Sequence, residues 1–302
     1  MHVCVLSAAP ERPVIEAPLV EAVRDAWGGG TARWLDRGVA AEFDLEVVPD
    51  RLEDARAEMG AMGVDLNVVP AAGRRKRLLL ADMDSTMIRQ ECIDELADMA
   101  GVGERVAAIT ARAMNGEIGF EGALRERVAL LAGLEAGVIG RVLAERITMM
   151  PGGDVLVATM KAQGATAMLV SGGFTAFTAV VAARLGFDRH RANVLLVEDG
   201  HLTGRAAEPI LGRAAKVAAL EEMCAELGIA EADALAVGDG ANDLGMIGRA
   251  GLGVALHAKP AVQAEARCRI NHGDLTALLH LQGYRREEFA VSSAGAKAAD
   301  MS

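Results

Sequence analysis

Residues 78–88, LLLADMDSTMI, run three leucines and an alanine straight into two carboxylates, Asp82 and Asp84, two positions apart. A short, continuous apolar run is the pattern of a strand buried on both faces of a parallel sheet. Two like charges at its end repel, so a cation or a shared proton has to sit between them. Two later runs have the same form: residues 165–170 (ATAMLV), which lead into Ser171, and residues 234–237 (ALAV), which lead to Asp239. Each run is followed at once by a polar or glycine-rich segment (DMDST, SGGF, GDGAND) that reads as a tight turn, and then by a helix-like stretch. Strand and helix in alternation predict a parallel sheet with right-handed crossovers. Ligands of such a sheet sit beyond the carboxyl ends of its strands, so Asp82, Ser171 and Asp239 are expected at one site.

Working outward, residues 91–146 carry helical patterning over a length too great for one crossover, and read as an inserted helical cap. Upstream, MHVCVLS reads as a strand and residues 18–27 as a helix stopped by Gly28-Gly29-Gly30. ARWLDRG and AEFDLEVV read as a hairpin, residues 51–59 as a second helix, and VDLNVVP as a closing strand. The order βαββαβ is the ferredoxin-like arrangement. AAGRRKR, residues 71–77, is the expected linker. The boundaries expected are therefore 1–72 for an N-terminal α+β domain and 73–289 for the α/β domain. Within the latter, the core is 76–90 and 150–289, and the cap 91–149. Residues 290–302, small and polar, are expected to be a disordered tail.

Composition narrows the function. The chain has 302 residues, enough for two domains, and a formal net charge of −11, which disfavours nucleic acid as a partner. No apolar run approaches the roughly 18–20 residues of a membrane span. The N-terminal stretch has no basic leader. The four cysteines, Cys4, Cys92, Cys224 and Cys268, form no C-x-x-C pair, and their scatter argues against a zinc site and suits a reducing cytoplasm. No His, Cys or Ser lies in a nucleophile–base motif. What remains is a set of carboxylates, Asp82, Asp84, Asp239 and Asp243. Without thiolates or histidines they favour a hard cation such as Mg²⁺, which would offset their repulsion. With a phosphate held there, an aspartate can attack phosphorus. A carboxylate two residues on can protonate the leaving alkoxide and later deprotonate water.

DMDST, SGG, Lys216 and GDGAND resemble, in order and spacing, the four motifs of the haloacid dehalogenase superfamily of phosphotransferases, over residues 78–289. Within it the sequence is most similar to the phosphoserine phosphatase family. The resemblance implies a Rossmann-like parallel-sheet core with an inserted helical cap, preceded here by the small ferredoxin-like (ACT-like) domain. It implies Asp82 as nucleophile and Asp84 as general acid/base. Mg²⁺ would be held by Asp82, the Asp84 backbone carbonyl and Asp239, with Asp243 nearby. Ser171 and Lys216 would bind the phosphoryl group, with Gly172 and Gly173 allowing close backbone approach. It places Glu91 to receive a substrate ammonium and Arg127 a substrate carboxylate, with Met114 and Phe120 packing over the substrate. Asn242 and Thr86 are placed to touch phosphate or substrate. The implied substrate is O-phospho-L-serine, and the implied role is the last step of L-serine biosynthesis.

Each residue also has a plainer reading. Asp82 and Asp84 have the chemistry of a helix cap or an Asx-turn, and Asp239 and Asp243 that of a glycine turn. Ser171 suits the cap of the next helix. Lys216 lies on a helical stripe with Arg213, Leu220, Met223 and Leu227, where a snorkelling lysine would also fit. Arg127 projects from an apolar arc with Phe120, Leu124 and Leu131, which requires a carboxylate partner, an internal acid or a substrate. Glu91 suits an ordinary first-turn acid. Two other functions fit: phosphoryl transfer to homoserine or hydrolysis of another small ester at the same site, and, more distantly, a non-catalytic amino-acid sensor. The N-terminal unit is open to a regulatory role, a homodimer contact, or both.

Overall fold

The computed structural model describes residues 1–115 and 117–290, with the side chain of Met114 left aside. The expected βαββαβ unit is present. It comprises β1 (His2–Ala8), α1 (Ala17–Ala26), β2 (Arg33–Asp36), β3 (Ala40–Leu45), α2 (Leu52–Ala61) and β4 (Val64–Pro70). The strands form one antiparallel sheet in the order β2-β3-β1-β4. Alternation divides its residues between two faces. Cys4, Leu6, Phe43 and Leu66 pack beneath the two helices, with Val20 and Met59. Val3, Val5, Leu35, Ala40 and Val69 join the main core of the molecule. This sheet is thus covered on its second face by the rest of the chain.

Two polar side chains complete that contact. Asn67, fully buried, donates to the Arg269 carbonyl at 2.8 Å and accepts the Arg269 N–H at 2.9 Å, as a neighbouring strand would. Asp65 accepts three backbone N–H groups, from Asn271 (2.7 Å), His272 (3.0 Å) and Gly273 (2.8 Å).

The second sheet begins with β5 (Leu78–Ala81). The chain then leaves for four helices, α3 (Cys92–Met99), α4 (Gly103–Met114), α5 (Phe120–Ala129) and α6 (Val138–Glu145), which form the expected cap. The two connections run side by side at a bridge between Ile88 and Met149, held by Arg89 N–H to the Thr148 carbonyl (3.0 Å) and Met150 N–H to the Met87 carbonyl (2.9 Å). The core continues as α7 (Gly153–Ala162), β6 (Thr166–Phe174), α8 (Thr175–Leu185) and β7 (Arg189–Asn193). After a hairpin, β8 (Leu195–Glu198) and β9 (His201–Ala206), come α9 (Arg213–Leu227), β10 (Ala234–Gly238), α10 (Leu244–Arg249), β11 (Leu252–Leu256), α11 (Pro260–Glu265), β12 (Cys268–Ile270) and α12 (Ala277–Leu281). The six core strands are parallel, in the order β12-β11-β10-β5-β6-β7.

β5 is central because it is apolar on both sides. Leu79 and Ala81 face the cluster that holds Leu156, Phe177 and Leu278, while Leu78 and Leu80 face Ala219, Leu220 and Met246. The three leucines are fully buried, each stabilising the fold by roughly 2 kcal/mol. Strand order reverses direction on either side of β5, so the opening beyond its end is where a doubly wound sheet takes its ligand. The hairpin β8–β9 and the strands β7, β11 and β12 were not read from the sequence. Of the expected disordered tail, only Ala290 lies within the described residues.

Candidate active site

β5 lies between β10 and β6, in register from Leu78 with Ala234 and Thr166, so Asp82, Asp239 and Ser171 come to the same end of the sheet. Asp82 extends the ladder by one bond, its N–H to the Val237 carbonyl at 3.0 Å. Its Oδ1 accepts the Met83 N–H (2.7 Å), and its Oδ2 lies 2.6 Å from Lys216 Nζ. Lys216, in the first turn of α9, is 2% exposed and also reaches Asp243 Oδ1 at 2.5 Å. The ammonium is buried between two carboxylates, which rules out the snorkelling alternative. Asp243 Oδ2 accepts the Gly240 N–H (3.0 Å), and Asp239 Oδ1 accepts the hydroxyl of fully buried Thr86 (3.3 Å).

Asp82, Asp239 and Asp243 each bring one carboxylate oxygen within 4.8 Å of the others. Three carboxylates against one ammonium leave negative charge in excess, and the donors are all hard oxygens. This donor set suits a divalent cation of the Mg²⁺ type.

Asp84 makes its hydrogen bonds outside this trio. Its Oδ1 accepts the N–H of Cys92, the first residue of α3, at 2.9 Å, and its Oδ2 accepts the Ser171 hydroxyl at 3.1 Å. Ser171 Oγ in turn accepts the Gly173 N–H (2.8 Å). A Cβ on Gly173 would come within 2.7 Å of Asp84 Oδ2, so a larger residue there would displace the carboxylate. The SGGF segment is not the tight turn expected. It belongs to β6, whose pairing with β7 breaks register between Val170 and Phe174, a local irregularity that paired glycines permit. Ser171 therefore does not cap α8, which starts at Thr175 and is flanked by Phe174.

On the cap side, Glu91 precedes α3 and accepts the Ser85 hydroxyl at 2.7 Å. Ser85 has φ 54°, a left-handed conformation unusual for serine, and sequence reasoning missed it. Arg127 is half-buried on α5. Its Nε donates to the Ala123 carbonyl at 3.3 Å, and among the described residues no carboxylate lies within ion-pair distance of it. Desolvation lowers its pKa, opposed most by Asp94 and then by Glu91 and Asp84. The internal acid allowed for in the sequence thus acts on Arg127 at a distance, without pairing. The neighbouring Arg125 pairs outside with Glu121 and Glu208. Phe120, 37% exposed, stands over Gly172 and Gly212. Asn242 is half-buried beside Gly240, and the Met114 side chain lies outside the description.

Crowding sets the protonation of these acids. Desolvation, with the Glu91 and Asp82 charges, pushes Asp84 up to about 7. Desolvation and Asp82 push Asp239 up to about 6, and they raise Asp243 as well. Burial alone would lower Lys216, but Asp82 and Asp243 outweigh it and hold it charged. The carboxyls bind protons more tightly in the folded chain than in the unfolded one, where they titrate near ~4. Their contribution to stability is therefore present below about pH 4 and is lost as pH rises through about 7, on the order of a few kcal/mol. In chelator, the melting temperature is expected to be lower at pH 7.5 than at pH 5, and millimolar Mg²⁺ to recover several degrees at pH 7.5. A chelated protein that melts higher at pH 7.5, or ignores the cation, would contradict this charge balance.

Residues 79–247 match the family model of the haloacid dehalogenase-like hydrolases. Phosphoserine phosphatase of Albidiferax ferrireducens is 50% identical over 210 residues, 68% of this chain and 89% of that protein. Phosphoserine phosphatase of Streptomyces coelicolor is 44% identical over 253 residues, 82% of this chain, and the match spans 62% of that longer protein. A solved structure described as a phospho-aspartyl intermediate analogue of phosphoserine phosphatase is 40% identical, with a TM-score of 0.64 over 68% of this chain and 98% of that one. The chain belongs to the haloacid dehalogenase-like hydrolases, in their phosphoserine phosphatase family. Among the described residues no helix is long and apolar enough to cross a membrane.

Proposed function

We propose that the protein is a Mg²⁺-dependent phosphatase that hydrolyses O-phospho-L-serine to L-serine and phosphate, the last step of L-serine biosynthesis. The observation that carries this reading is the pair of environments two residues apart. Asp82 is held by Lys216 within an acidic trio, while Asp84 is turned toward Ser171 and the first cap helix with its pKa at about 7. An acid kept protonated near neutral pH beside one that faces an ammonium divides the roles of acid and nucleophile. Similarity to a structure described as an aspartyl intermediate analogue supports the same division.

In this mechanism an Asp82 oxygen attacks phosphorus as the bond from phosphorus to the seryl oxygen breaks. Protonated Asp84 gives its proton to that oxygen, and serine leaves. Asp84, now a carboxylate, takes a proton from water as the water attacks the aspartyl-phosphate, releasing phosphate and restoring Asp82. Lys216 and the Ser171 hydroxyl hold the phosphoryl oxygens. Mg²⁺, held by Asp82, the Asp84 backbone carbonyl and Asp239, with Asp243 beside them, would supply positive charge to the phosphoryl group. Glu91 and Arg127 would take the ammonium and carboxylate of the amino acid, with Phe120, Met114, Gly172 and Asn242 around it. The cap would close at the paired connections near Ile88 and Met149 and exclude water.

Four buried, free cysteines suit a cytoplasmic setting. We place the domain boundary at 72/73. Because the core covers one face of the N-terminal sheet, a homodimer through residues 1–72 would use the helices or the β2 edge.

Phosphate release from a panel of phosphorylated amino acids, with Mg²⁺ and with EDTA, tests the reading. O-phosphoserine is expected to lead the panel and EDTA to abolish release. Arg127→Ala is expected to lower kcat/KM for phosphoserine about 100-fold, the scale of one lost charge-assisted contact, and to leave p-nitrophenyl phosphate within a few-fold. Equal losses on both esters would remove the carboxylate-binding role.

A further inference from the structure

β7 ends on Asn193, which is 2% exposed and has no part in the chemistry above. Its carboxamide reaches two segments at once. Nδ2 donates to the Gly172 carbonyl at 2.8 Å and to the Leu211 carbonyl at 3.3 Å, and Oδ1 accepts the Leu211 N–H at 2.7 Å. The partners fix the amide orientation, since a carbonyl needs a donor and an N–H an acceptor. Gly172 directly follows Ser171. Leu211 and Gly212 lead into α9, whose first turn carries Lys216. Asn193 is thus the link between the two backbones that present the hydroxyl and the ammonium of the site.

The same two segments receive the cap. A Cβ on Gly172 would lie 3.0 Å from the Phe120 ring, and one on Gly212 3.1 Å from it. The ring fills a slot walled by the two glycines, and the separation of its walls is the distance that Asn193 spans.

We propose that Asn193 is a positioning residue. Its carboxamide sets the spacing between the Ser171–Gly172 segment and the approach to Lys216, and so forms the slot in which Phe120 of the cap seats. The inference rests on the phosphatase reading above, because turnover is its readout. A displacement near 1 Å at a reacting site costs about 10²-fold in rate, and removing the carboxamide frees both walls to move by that order.

The test is steady-state kinetics of Asn193→Ala, Phe120→Ala and the double variant on O-phosphoserine and on p-nitrophenyl phosphate, at saturating Mg²⁺, with melting temperatures alongside. Folded Asn193→Ala is expected to lose about 10- to 100-fold in kcat on both esters, with a smaller change in KM. The double variant is expected to lose about fivefold or more less than the product of the single losses, because a loosened slot no longer seats the ring. Should Asn193→Ala not fold, Asn193→Asp makes the same comparison, keeping the acceptor for the Leu211 N–H and losing the donor to the Gly172 and Leu211 carbonyls. A folded variant with kcat within twofold of the parent, or single losses that simply multiply, would overturn the proposal. A parent that hydrolyses only p-nitrophenyl phosphate would overturn the substrate reading and leave this comparison intact on that ester.

Discussion

Asp82→Asn is expected to release no phosphate at steady state, a loss of about 10⁴-fold or more, the scale of removing a nucleophile. The substitution keeps the volume and leaves an oxygen to accept the Met83 N–H. It replaces the oxygen 2.6 Å from Lys216 with an NH₂ group, which neither attacks phosphorus nor accepts a hydrogen bond from the ammonium. Asp243 still holds Lys216, so the protein is expected to remain folded and to melt within a few degrees of the parent. Retention of a tenth of the parent rate would remove Asp82 from the nucleophile role and, with it, the division of labour between the two acids.

Lys216→Met is expected to damage both activity and stability. The lysine is 2% exposed and is the ammonium that both Asp82 and Asp243 contact. Methionine restores the stem and removes the charge, leaving the buried carboxylates of Asp82 and Asp243 with no cation among the described residues in ion-pair contact. Breaking a buried pair from one side costs about 3–5 kcal/mol. Activity is expected to fall at least about 10³-fold, as for a lost transition-state charge contact. Mg²⁺ is expected to raise the melting temperature of Lys216→Met more than that of the parent, since it becomes the sole counter-charge to the trio. An equal increment in both proteins would mean that lysine and metal do not share the same carboxylates.

Where burial and chemistry coincide, the sequence was informative. Leu78, Leu79 and Leu80 lie between two layers of helices, so their run is unbroken and marks the central strand, and the acids after it mark the opening of the sheet. The βαββαβ order was equally legible, because each of its strands has an apolar face. β7, RHRAN, was not, for it lies at the edge of the sheet and its first residues are exposed and polar. Its last residue, Asn193, has partners at 172 and 211 that no local pattern discloses. Ser171 was expected in a tight turn, whereas its hydroxyl pairs with Asp84 from within a strand. In VDLNVVP the alternation identified a strand without indicating that Asp65 and Asn67 point into the body of the molecule.

Those two side chains bear on more than the docking of one sheet. β4 and β12 are each the last strand of their sheet, and a last strand offers its unpaired backbone to any other chain. Here each blunts the other without merging into a continuous ladder, because a carboxamide and a carboxylate occupy the place of a neighbouring strand. The N-terminal unit therefore covers the open edge of β12 as well as adding to the main core. Without that cover, β12 would present its open edge to any other chain.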